Sequence, residues 1–330
     1  MKVDQYHIPV LLNDATQALI SDPSGFYVDV TFGGGGHSRA ILDQIDNGKL
    51  LAFDQDADAS LNHITDDRFS LVRQNFRNIQ NVLEAFGHGV PVGILADLGV
   101  SSYQFDNPER GFSFRFDERL DMRMNKDAVL DACDLLNSYD KSQLENIFSQ
   151  FGDFKSVESK RLASNIIEAR TKNKLTTTQD LVSCIEFLVP QKVKNQFLAR
   201  VFQSIRIEVN QELNALVEFL NQLPKVLKNE GIVSIITYHS LEDRLVKNFF
   251  KTGNCKGDLE KDFFGNISKP FDLVNKKPIV PDDAEIKLNP RSRSAKLRFS
   301  IKYGDDQLEI NRRSLKMEKL FDLEKKYNVY

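Results

Sequence analysis

The 330-residue chain has no tryptophan and only three cysteines, Cys133, Cys184 and Cys255, which lie far apart with no C-x-x-C pair. That scarcity excludes a readable disulfide framework or cysteine-based zinc cluster and fits a reducing compartment, with the cytoplasm as the expected location. Long apolar runs are missing too: nowhere do 18 apolar residues follow one another, and MKVDQYHIPVLLND is too short in apolar residues for a secretory signal. Neither export nor a membrane span is expected. Charge of one sign is also lacking, since 44 Lys+Arg face 47 Asp+Glu for a formal net charge of -3. A globally basic surface is thereby excluded as the means of holding nucleic acid, although a local basic stripe can still do so. Internal repeats and low-complexity tracts are absent. With 41% hydrophobic residues, and at about 150 residues per domain, the chain is long enough for roughly two domains that bury their cores without cross-links.

Up to residue 100, short β-rich apolar runs alternate with helical segments: YVDVT at 27–31, KLLAFD at 49–54, FSLVR at 69–73 and VGILADLGV at 92–100. Continuous apolar runs bounded by Gly, Asp and Asn predict parallel strands covered by helices on both faces, a doubly wound α/β domain. After residue 105, AVLDACDLLN, KSQLENIFSQF, SKRLASNIIEAR and TTTQDLVSCIEFLV carry apolar residues at 3–4 spacing and predict helices. Leu198, Val201, Phe202, Ile205, Val209, Leu213, Leu216, Val217 and Leu220 form one stripe, read as a long helix returning to the sheet. IVSIITY at 232–238 resumes the strand pattern, 253–290 reads as a long loop region, and AKLRFSIKY at 295–303 as a late strand. The expected architecture is a sheet domain over 1–105 and 200–304, a helical insertion over 106–199, and a tail over 305–330 that reads as a peripheral helix or a partly disordered segment.

Asp29-Val30-Thr31-Phe32-Gly33-Gly34-Gly35-Gly36-His37-Ser38 joins the first strand to a helix. Four successive glycines let the backbone approach a ligand where any Cβ would collide, whereas a tight turn alone needs one. Asp54 closes the second strand, 19 residues after Gly35, where a carboxylate can take both hydroxyls of a ribose. The strict dinucleotide pattern G-x-G-x-x-G fails, because Ser38 occupies the third glycine position counted from Gly33. Asp29 suits a ligand with an ammonium group, as in the methionine part of S-adenosylmethionine, and equally suits a turn. Phe76, just after the third strand, is placed either to meet an adenine or to join the core.

The phrases HIPVLLNDA, DVTFGGGGHS, DLGVSSYQFD, RGFSF, LDMRMN, FQSIRIEVNQEL, HSLEDRLVK and NPRSRSAKLR occur in this order over residues 7–298. Together they closely resemble the bacterial 16S rRNA cytosine-N4 methyltransferases. The resemblance implies an S-adenosylmethionine-dependent methyltransferase fold with an inserted substrate-recognition domain. It also implies transfer of the cofactor's methyl to the exocyclic N4 of a cytidine in the decoding centre of 16S rRNA, within the small ribosomal subunit. Its cofactor contacts carry over onto Gly35, Gly36, His37, Asp54, Phe76, Asp97 and Gln104. Three departures concern loop shape: Glu118-Arg119 and Tyr103 stand where proline is common, and Tyr238 precedes His239 where phenylalanine is usual. The sequence is compatible with a homodimer and does not fix the oligomeric state. Competing readings are a non-catalytic RNA-binding assembly factor, a dinucleotide oxidoreductase, and a methyltransferase for DNA or a small molecule.

A sulfonium methyl is already activated, so no metal is required; the protein must align the acceptor nitrogen and exclude water. The N4 lone pair is delocalised into the ring, so an acceptor for its N–H hydrogens should sharpen it as a nucleophile. Asp97 is the candidate, with cofactor contact as its alternative role. Ser101 and Ser102 could orient the base or form a turn, and His239, at a strand's carboxyl end, could touch base or phosphate. Ser240 and Asp243 fit an S-x-x-D capping pattern. Lys287, Arg291, Arg293, Lys296, Arg298 and Lys302 form a basic run that fits phosphates or a solvated strand edge. Arg110, Arg123 and Arg206 could reach RNA or pair with carboxylates, and Phe112 and Phe114 could stack on a base or pack in a core.

Overall fold

The computed structural model describes residues 9–259 and 269–303. The 305–330 tail and His7 of the first motif lie outside them. The chain divides into two compact units, one built up to Gly99 and again from Asn214 onward, the other spanning Val100–Leu213.

The first unit is a seven-stranded sheet of β1 (Phe26–Asp29), β2 (Lys49–Asp54), β3 (Phe69–Arg73), β4 (Gly93–Asp97), β5 (Ile232–Thr237), β6 (Phe271–Leu273) and β7 (Lys296–Lys302), in the order β3-β2-β1-β4-β5-β7-β6. β1 to β5 pair in parallel, and β7 runs antiparallel to both β5 and β6. Every residue of β1 and β5 is buried, as expected for strands covered on both faces, and this is why they read as continuous apolar runs. Side chains alternate between two cores: Tyr27, Ala52 and Leu95 enter one with Leu19 and Ile41, while Val28, Phe53 and Ile94 enter the other with Phe219 and Phe249. Strand order reverses between β1 and β4, and the carboxyl edge at such a reversal is where open α/β sheets hold ligands.

The region 253–290, expected to be loop, contains β6 and the helix Asp283–Leu288. β6 escaped detection because it is three residues long and its pairing continues through a side chain. The buried Asn275 amide donates to Leu297 O at 2.9 Å and accepts from Phe299 N–H at 3.0 Å, standing in for a strand's backbone.

The second unit is helical, with Ala132–Ser138, Lys141–Phe151, Ser156–Lys172, Thr178–Ile185 and Lys194–Asn210 around a core that includes Leu136, Phe148, Leu162, Leu181 and Val201. Asp140 and Thr177 start two of these helices through reciprocal capping bonds with Gln143 and Asp180. The stripe from Leu198 to Leu220 is two helices, not one. Gln211 takes φ 51°, which ends Lys194–Asn210 and starts Glu212–Val226. Phe197, Leu198, Val201 and Phe202 belong to the helical core, whereas Leu216, Phe219 and Leu223 belong to the sheet's. The unit boundaries therefore fall outside the expected 106–199, because the whole of Lys194–Asn210 buries its apolar face within the helical unit.

Candidate active site at the carboxyl edge of the sheet

The glycine loop leaves the end of β1 and enters the helix Gly36–Leu42 with Gly33 and Gly35 in the left-handed region, at φ 51° and 75°. Its four glycines have different reasons to be glycine. A Cβ on Gly35 would stand 2.9 Å from the Phe32 ring, and one on Gly36 would stand 2.1 Å from Pro9 Cγ, so both positions serve the protein's own packing. Gly34 faces open space, with no heavy atom within 4 Å of the added carbon. Gly35 and Gly36 thus lack side chains for packing reasons of their own, while at Gly34 the bare main chain is turned toward open space.

The loop is held rigidly from beneath. Gly33 N–H donates to Asp54 Oδ2 at 2.8 Å, Asn62 Nδ2 donates to Gly33 O at 3.0 Å, and Arg39 Nη1 donates to Gly34 O at 2.7 Å. Asp54 Oδ1 accepts from Asp56 N–H at 2.8 Å. Burial, aided by Asp56 and Asp29, pushes the Asp54 carboxyl up to about 6 against the pull of its backbone donors. Each Asp54 oxygen keeps a lone pair for a further donor, as a ribose hydroxyl would be.

Further along the edge, a chain of bonds links β1 to β4. Asp29 is completely buried; Ser38 Oγ donates to its Oδ2 at 2.6 Å and Thr31 N–H to its Oδ1 at 3.0 Å. Thr31 Oγ1 accepts from Asp97 N–H at 2.6 Å. Asp29 is thus a structural anchor, the turn alternative. His37, also buried, has Nε2 3.1 Å from Val10 O, so that nitrogen carries the proton and Nδ1, 3.6 Å from Asp97 Oδ2, carries the lone pair. Burial lowers the His37 pKa and keeps the ring neutral. Asp97 Oδ1 accepts from Tyr238 Oη at 2.8 Å. Burial pushes the Asp97 carboxyl up to about 7, Tyr238 pulling it down and Glu242 adding to the rise. A half-ionised carboxyl at the end of a central strand is poised to accept a proton at neutral pH.

His239 is the cap of helix Ser240–Thr252 and forms the capping box with Glu242. The box expected at Ser240 and Asp243 is therefore displaced by one residue. Asp243 instead binds Arg298 Nε at 2.7 Å and Lys296 Nζ at 3.3 Å. His239 Nε2 lies 3.0 Å from Glu242 Oε1, outside hydrogen-bond alignment. Phe76 opens a short turn after β3 and meets Phe219 edge-on at 5.4 Å, half-buried against the core. In the helical unit, Ser101 Oγ accepts from Gln104 N–H at 3.2 Å and Gln104 Oε1 from Ser101 N–H at 3.1 Å, so Ser101 caps the helix Ser102–Asp106 and fixes Gln104.

The sequence profile of the MraW methylase family matches residues 4–303. The chain belongs to the MraW methylase family. Among curated relatives of this MraW methylase, the protein named ribosomal RNA small subunit methyltransferase H from Bacteroides fragilis (strain YCH46) is 53% identical over 298 residues, covering 90% of this chain and 97% of that one. Its namesake from Bacteroides thetaiotaomicron is 53% identical with the same coverage. The Flavobacterium johnsoniae protein of that name is 51% identical over 299 residues, covering 90% of this chain and 98% of that one.

Several charged residues of this MraW methylase for which RNA contact and internal pairing were alternatives are engaged internally. Arg298 is buried against Asp243, and Lys302 Nζ donates to Leu227 O at 2.6 Å, which removes them, together with Lys296, from the basic stripe. Arg110 donates to Arg123 O at 2.9 Å and Met124 O at 3.1 Å. Arg123 and Arg206 make two-pronged pairs with Asp121 and Glu212. Phe112 is buried, and Phe114 packs edge-on against Phe202 at 5.5 Å. Thr31, Glu242 and the Tyr238 hydroxyl escaped the sequence reading as parts of the edge. Only the departure at Tyr238 signalled one of them.

Proposed function

We propose that this chain uses S-adenosylmethionine to methylate the exocyclic N4 of a cytidine in the decoding centre of 16S rRNA, within the small ribosomal subunit and in the cytoplasm. The observation that carries the reading is membership of the methylase family across residues 4–303, joined to an edge where a main-chain cradle, Asp54 and Asp97 line up. Among the described residues, no helix is long and apolar enough to cross a membrane.

When bound, S-adenosylmethionine supplies a methyl group already activated by its sulfonium. Gly35, Gly36 and His37 shape the main chain that meets it, Asp54 takes the ribose hydroxyls, Phe76 offers an apolar face to the adenine, and Gln104 completes the contacts. Asp97 takes the N4 proton as the new C–N bond forms, in the protonation range where it can both accept and release it. Ser101 acts through Gln104, Ser102 orients the base, and His239 fixes the start of the helix beside Tyr238. The helical unit recognises the RNA, with the cytidine turned out of its stack. A homodimer is compatible with this reading.

Labelled-methyl transfer to small subunits, free 16S rRNA, DNA and free cytidine, followed by mapping of the modified nucleotide, tests the proposal. Label at one cytidine of small subunits is expected; activity on DNA alone would overturn the rRNA assignment. Titration calorimetry should detect S-adenosylmethionine, and NAD binding in its place would remove the cofactor assignment.

A further inference from the structure

We propose that Tyr238 is a positioning residue for methyl transfer: its hydroxyl, by donating to Asp97 Oδ1, favours the ionised carboxylate and leaves Oδ2 to meet the acceptor amine. The inference rests on the reading of Asp97 as the group that takes the N4 proton.

The sheet register puts the two residues together. β4 and β5 are parallel neighbours with Asp97 opposite Ile236, so the chain leaving β5 delivers Tyr238 beside the end of β4. Tyr238 N–H donates to Glu242 Oε2 at 2.9 Å, which fixes the start of the side chain, and its hydroxyl reaches Asp97 Oδ1 at 2.8 Å. Gly99, at φ 100°, turns the chain away immediately after Asp97, and a Cβ there would sit 3.4 Å from the Tyr238 ring. Asp97 is held from behind as well, its N–H donating to Thr31 Oγ1 at 2.6 Å.

The surroundings explain why this one hydroxyl matters. Asp29 from β1, Glu242 from the helix after β5, and His37 from the helix after the glycine loop face Asp97. Glu285 acts on both His37 and Tyr238. Asp29 and Glu242 are acidic and oppose a second negative charge. His37 is neutral, and the nitrogen it turns toward Oδ2 has no proton to give. Tyr238 is therefore the side-chain donor that favours the ionised form, and its own proton is held tightly, since burial and the adjacent Asp97 raise its pKa well above the ordinary tyrosine value. A phenylalanine at 238 would fill the same space without the donor.

The test is single-turnover transfer with enzyme in excess, using small subunits that lack the methyl group and saturating S-adenosylmethionine, from about pH 5.5 to 9. The wild-type rate should rise with pH along one acidic limb. Tyr238→Phe should move that limb to higher pH by about one unit, slow transfer about five-fold at pH 7, and converge on the wild-type rate at the alkaline end. Cofactor affinity by calorimetry should stay within about two-fold. Incorporation of 3-fluorotyrosine at 238, a stronger donor, should move the limb the other way. An unmoved limb in Tyr238→Phe, or a loss equal at every pH, overturns the proposal. Wild-type turnover by Asp97→Asn would instead overturn the underlying role of Asp97, so the two failures are distinguishable.

Discussion

The carboxyl edge of the sheet and the helical unit treat their acidic residues in opposite ways. Along the edge, Asp29, Asp54 and Asp97 all have their pKa raised by burial, and among the described residues none is matched with an arginine or lysine. In the helical unit, Asp121 is drawn below its ordinary value by Arg123 although burial works against it. Asp180 is drawn down in the same way by donors at Thr176 and Thr177, again against burial. Glu168 is lowered by Lys172. A scaffold matches its charges because unmatched ones are destabilising. Three adjacent carboxyls left without cationic partners cost stability, and that cost persists where proton transfer or ligand binding needs it.

The contrast predicts its own tests. The largest effect belongs to Asp97→Asn, which should lower single-turnover methyl transfer by at least about 100-fold while the protein stays folded by circular dichroism; near-normal turnover would make Asp97 one more scaffold residue. Gly35→Val should cost about ten-fold or more in cofactor affinity by calorimetry, because position 35 requires a positive φ and its Cβ meets the Phe32 ring.

Stability should respond to pH with opposite signs in the two regions. Asp54 and Asp97 have pKa values of about 6 and 7 in the fold against 3.8 when unfolded. Their contribution is fully present below about pH 4 and is lost as pH rises through about 6 and 7. Asp121 and Asp180 are depressed, so their contribution is present above about pH 4 and is lost on acidification. Hydrogen exchange resolved by residue, corrected for the intrinsic rate, separates the two; a fall with rising pH in both regions would break the comparison. The smallest effect is expected from Arg123→Gln, about 1–2 kcal/mol in unfolding free energy by urea titration through the lost Asp121 pair, with cofactor affinity unchanged. A loss of affinity there would mean the helical unit's pairs are not merely scaffold.

Much of this was legible in the chain. Strands buried on both faces leave uninterrupted apolar runs, so the five parallel strands and β7 were read within a few residues, and the glycine loop and Asp54 announced themselves by spacing. The helix break at Gln211 was not, because Gln211 sits inside an unbroken apolar stripe. Nor was the cap at His239, where Ser240 matched the usual pattern better, or the engagement of Arg298, whose partner Asp243 is distant in sequence.

Taken alone, the order of residues determined where strands and helices form and which residue types gather at strand ends, because periodicity and glycine placement act over a few neighbours. Only the tertiary structure decided which of those groups face each other. It paired Tyr238 with Asp97, turned the proton of His37 away from Asp97, and drew half of the basic run into internal bonds. Hydrogen bonds and desolvation depend on distances across the sheet, which sequence spacing does not encode.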